Sequence, residues 1–134
     1  MTAFEKWKGF IEGLANVFLP ITPQERVRLQ AELSIIEKTN CAELFQAIYD
    51  TSMSLLVNGI HCYLTGEAEQ WFIFYFLDMI CENPLEKEMP SGALSKGTFV
   101  IPQEAKEQFK RFAAAVKLPE DKYEIIEMKG AGTQ

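Results

Sequence analysis

Trp71-Phe72-Ile73-Phe74-Tyr75-Phe76-Leu77 is an uninterrupted run of seven apolar or aromatic residues, and it restricts the fold more than any other feature of the chain. In a chain of 134 residues such a run must be covered by other elements or by a partner. It is far short of the roughly 20 residues a membrane-spanning helix needs, so no membrane partner is expected. The run lies within a stretch, Asn40 to Pro84, whose charge is one-sided. Between Lys38 and Lys87 there is no Lys or Arg, whereas Glu43, Asp50, Glu67, Glu69, Asp78, Glu82 and Glu86 all fall there. Elsewhere thirteen basic residues face twelve acidic ones, so the net charge of -6 originates in this middle segment. An acidic chain of this kind is a poor binder of phosphate backbones, and direct nucleic-acid binding is not expected. It suits another protein with a basic surface.

Helix starts are marked three times. Thr2 with Glu5 and Thr22 with Glu25 have the spacing of capping boxes, and Asn40 with Glu43 is a looser version of the same pattern. The first predicts a helix over about Ala3 to Leu19, with Phe4, Trp7, Ile11, Leu14 and Phe18 on one stripe. The second, with Pro23 at its first helical position, predicts a helix to about Lys38. Arg26, Arg28, Glu25, Glu32 and Glu37 mark that one as an outer helix. From Cys41 to Leu64 the helical period holds for over twenty residues, which favours one long helix bent near Gly59. The rival is a hairpin turning at Asn58-Gly59. Glu67 to Glu82 follows as a helix four.

Pro84 to Gly97 reads as a loop, and Thr98 to Ile101, β-prone and followed by Pro102, as extended. A fifth helix covers about Pro102 to Lys117. Tyr123 to Met128 is read as a short final helix, the alternative being a two-stranded ribbon against Thr98 to Ile101. The expected fold is therefore mainly α. It is a single-domain bundle of four to five antiparallel helices over residues 1–129, with a small extended segment near Phe99 and a flexible tail at 130–134. An α+β fold with the hairpin at Asn58-Gly59 is the alternative.

No catalytic, cofactor or metal site is expected. His61 is the sole histidine, and Cys41, Cys62 and Cys81 lack the paired spacing of zinc or disulfide motifs. What remains is a stripe. On a helix, Glu67, Trp71, Tyr75, Asp78 and Glu82 share one face, and aromatics with polar tips among acids are typical of contact surfaces. The expected function is that of a small acidic, non-catalytic protein-binding protein (an adaptor, inhibitor or chaperone-like protein) with this stripe as its partner surface. A small-ligand-binding or enzymatic helical protein and an acidic nucleic-acid mimic are the alternatives. The N-terminus lacks the basic and apolar regions of a signal peptide, so a cytoplasmic location is expected. The aromatic helices one and four suggest a homo-oligomer.

Overall fold

The computed structural model describes residues 1–128, so the tail expected at 130–134 lies outside the described residues. The protein is mainly helical and carries a small three-stranded sheet. The elements in chain order are α1 (Ala3–Gly13), α2 (Pro23–Thr39), α3 (Ala42–Val57), β1 (Tyr63–Thr65), α4 (Phe72–Phe76), β2 (Gly97–Pro102), α5 (Lys106–Ala115) and β3 (Tyr123–Met128). A pure helical bundle is thus not what forms. An α+β arrangement does, although its sheet is not built on an Asn58-Gly59 hairpin.

The first two helices start where the capping boxes placed them. Thr2 Oγ1 accepts from Glu5 N and Glu5 returns to Thr2 N, and Thr22 and Glu25 repeat the arrangement. Past Gly13, α1 loosens into a π-helical turn, Leu14–Phe18, which leaves Val17 and Phe18 exposed. Asn40 does not open a helix. It closes α2 with left-handed backbone (φ 55°), and Cys41 takes the N-cap position of α3.

Four helix ends share this construction. Asn40, Gly59, Asp78 and Lys117 all have positive φ. In each case the next amide reaches back to the carbonyl five residues before it: Cys41 N to Ile36 O, Ile60 N to Leu55 O, Met79 N to Phe74 O and Leu118 N to Ala113 O. This is the Schellman closure, which satisfies carbonyls that the helix leaves open and turns the chain sharply away. Asn58-Gly59 is therefore the end of α3, neither mid-helix nor a hairpin turn. The following residues run extended into β1.

The sheet has the order β1-β2-β3. β1 pairs antiparallel with β2, and β2 pairs parallel with β3 in a register that sets Phe99 opposite Ile125 and Val100 opposite Ile126. Tyr123 to Met128 is thus a strand and not the short helix expected. The ribbon alternative had the right partner. Pro119 follows the closure of α5 and sets the chain extended (ψ 148°), and Tyr123 and Ile125 then alternate inward. Parallel strands need a long crossover, and α5 supplies it. Its Phe109 stacks edge-on against Phe99 (4.7 Å between ring centroids) and Tyr123 (5.0 Å).

Between helices and sheet lies one core in which Phe45 is central: it is stacked on Phe74 at 5.0 Å and meets the edge of Trp71 at 4.8 Å. Trp71 is 1% exposed, so the stripe's tryptophan belongs to the core. Replacing Trp71 by Ala should lower the unfolding free energy by about 3–5 kcal/mol, as expected for a large aromatic removed from a packed site. Denaturant midpoints of the wild type and variant measure this. Gly97→Ala should also destabilise, because an added Cβ would stand 2.9 Å from Ile48 Cδ1. Overpacking of this kind costs about 1–3 kcal/mol.

Candidate functional site

A helix cannot run unbroken from Glu67 to Glu82, because two polar contacts and one backbone turn cut it. Gly66–Gln70 is a short 3-10 turn, and Trp71 is extended (φ -99°, ψ 114°). A new helical turn, α4, begins at Phe72 because the buried carboxylate of Glu32 on α2 accepts from Phe72 N (2.7 Å) and Ile73 N (2.9 Å). The turn ends at Asp78, whose backbone is left-handed (φ 62°).

Glu32 is held by Arg28 one turn earlier on α2, with Arg28 Nε at 2.8 Å from Glu32 Oε2. The same guanidinium donates to Gln70 O (2.8 Å) and Lys87 O (3.1 Å). Arg28 and Glu32 are therefore buried, as are Leu29, Leu33 and Ile36, and α2 is not the outer helix expected; Val27 faces out. Burial pushes the Glu32 carboxyl above its ordinary pKa, while Arg28 and the two amides pull it back down. The pair fixes the chain on both sides of α4.

That anchorage shapes a groove of about 600 Å³ beside α4. Tyr75 and Asp78 line it from α4 and its closure, Leu19 and Ile21 from the link between α1 and α2, and Tyr63 from β1. Glu25 lines it too. Its carboxylate both completes the α2 capping box and accepts from Asn83 Nδ2 at 3.3 Å. The floor is closed by backbone, since Leu64 N donates to Met79 O (2.8 Å). Leu19 (44% exposed), Tyr63 (40%) and Tyr75 (37%) present large apolar surfaces around the opening.

Of the five residues read as a partner surface, the structure brings two together here, Tyr75 and Asp78. Trp71 is buried in the core against Phe45 and does not line the groove. Glu67 is exposed but committed to the loop before β2, accepting from Ser95 N (3.0 Å) and from the Ser95 hydroxyl. Glu82 is exposed and lies outside the groove. The wall residues Leu19, Ile21, Glu25 and Tyr63 were missed. No spacing rule links them to Tyr75, because they come from three other places in the chain.

Among the described residues no cluster of His, Cys, Asp or Glu could hold a metal ion, and no helix is long and apolar enough to cross a membrane. No protein-family model, curated protein or solved structure matches the chain.

The buried pair makes a direct prediction. Glu32→Gln replaces one accepting oxygen with an amide that must face donors, and breaking a buried pair from one side costs about 3–5 kcal/mol. Urea unfolding should show that loss, and Arg28→Met should show a similar one. In the double variant Arg28→Met/Glu32→Gln the two losses should be far from additive.

Proposed function

We propose that the protein is a small acidic, non-catalytic protein-binding protein whose contact surface is the groove beside α4. The observation that carries this reading is the gathering of Leu19, Tyr63 and Tyr75, all substantially exposed, around one concavity whose charged wall residues, Glu25 and Asp78, are both acidic. Exposed aromatics around a concave site are the usual anchors of a protein interface, and a rim of one charge selects a partner of the other. The contact surface keeps Tyr75 and Asp78 from the stripe read in the sequence. Trp71, just before α4, and Phe74 within it both pack on Phe45 and hold that segment in the core.

Tyr75→Ala and Leu19→Asp should leave the unfolding free energy within about 1 kcal/mol of wild type, as surface substitutions generally do. Both should weaken capture of a partner from cell extract by about 2 kcal/mol or more if the side chains are anchors. Quantitative pull-down with the wild type and the two variants measures the difference. A partner held equally by all three proteins would place the contact surface elsewhere.

A further inference from the structure

The groove does not stand alone. A second depression, about 170 Å³, shares Asp78 and Met79 with it and continues past Leu56. A third, about 470 Å³, shares Met53 with the second and runs on past Asp50 and Val57 between α3 and α5. The three adjoin one another through these shared residues and together mark a path from the α1–α2 link to the outer face of α3. No Lys or Arg lines any part of it, while Glu25, Asp78 and Asp50 lie along its length. Its apolar side chains include Met53, Leu56 and Val57, which are exposed at the end of α3, together with Met79 at the junction.

We infer that this path takes a cationic amphipathic helix of a partner protein. The inference rests on the groove being a partner surface and adds the class of element that fills it. Charge complementarity selects a basic occupant, because the path carries three carboxylates and no Lys or Arg side chain along its walls. The backbone selects a helix over an added strand. Strand addition needs a free edge, and where β1 borders the path its Leu64 N–H is already given to Met79 O. Recognition therefore falls to side chains, as when a helix lays its apolar face in a groove. The unbranched, exposed Met53 at the second junction adapts to whatever anchors the helix presents, while Met79 at the first is a buried part of the wall.

The test uses the full chain and three synthetic peptides of about 18 residues, five helical turns. One has Leu at helical spacing with Lys on the opposite face, the second scrambles the same composition, and the third replaces Lys by Glu. Titrations followed by fluorescence anisotropy should show the patterned Lys peptide binding at least about tenfold tighter than either control, a difference that shrinks as salt is raised. Asp50→Asn/Asp78→Asn should reduce that preference for Lys over Glu, Asn being tolerated in the left-handed backbone at position 78. Met53→Glu/Leu56→Glu should abolish binding while the circular dichroism spectrum stays that of wild type.

Equal binding of the scrambled peptide would reduce the effect to bulk charge and overturn the inference, as would equal binding of the Glu peptide. So would a dimer of the protein that Met53→Glu/Leu56→Glu dissolves, which would make a second copy the occupant. If none of the peptides binds while a partner captured from extract still depends on Tyr75, the helix is overturned and the groove stands. If the captured partner is also indifferent to Tyr75, the groove itself falls.

Discussion

The middle of the molecule depends on one buried contact, the ion pair of Arg28 and Glu32. Removing two such charges from water costs several kcal/mol each, and the cost is offset only when the remaining donors and acceptors are satisfied. Here they are satisfied by backbone groups from distant parts of the chain: the amides of Phe72 and Ile73 and the carbonyls of Gln70 and Lys87. The pair thus acts as a cross-brace. It starts α4 at one residue rather than another and ties the exit of that region at Lys87 to the same helix. The groove inherits its geometry from this brace, because Tyr75 and Asp78 follow Phe72 by less than two helical turns.

How far the fold could be read from the sequence differed between the two ends of its helices. Two beginnings were legible, because Thr2 with Glu5 and Thr22 with Glu25 are local hydrogen-bonding signatures and both form as expected; the third signature, Asn40 with Glu43, does not form, and the start of α4 is set by the distant Glu32. Endings were not. Three of the four left-handed closures use Asn40, Asp78 and Lys117 instead of glycine, and nothing in the local sequence marks an aspartate or a lysine as the residue that will turn left-handed. At Gly59 the residue is the expected one, but Asn-Gly is also a hairpin signal, and a helix terminus satisfies the same backbone preference. The third outcome for that dipeptide could be told from the other two only by where Leu55 O finds its donor.

The sheet and the site were obscured by non-local contacts. Ile125 and Ile126 are β-prone, but two such residues in a short segment do not specify a strand by themselves, and pairing with the edge of β2 decides the matter. The seven-residue apolar run announced burial for its first four residues, Trp71 through Phe74, whereas Tyr75 is exposed and Phe76 and Leu77 are half-buried. It also invited a helical reading whose period then assembled a stripe that the chain never forms. Glu67, committed to Ser95, and Tyr75, open in the groove, are separated by the break at Trp71 that Glu32 imposes. The acidic character of the middle segment was readable and does reach the candidate surface through Asp78 and Asp50. Glu25 joins them from outside that segment, placed there by its capping role.

The brace has a consequence for how the protein is made. On the ribosome α2 emerges well before Gln70, Phe72 and Lys87 have been synthesised, so Arg28 and Glu32 must wait in water with their helix exposed. Docking α2 early would bury the Arg28–Glu32 pair with its remaining donors and acceptors unmatched, which makes a native-like N-terminal half unfavourable until the chain has passed Lys87. The same polar contacts that fix the finished structure therefore work against premature collapse, and they give vectorial synthesis a checkpoint at Lys87.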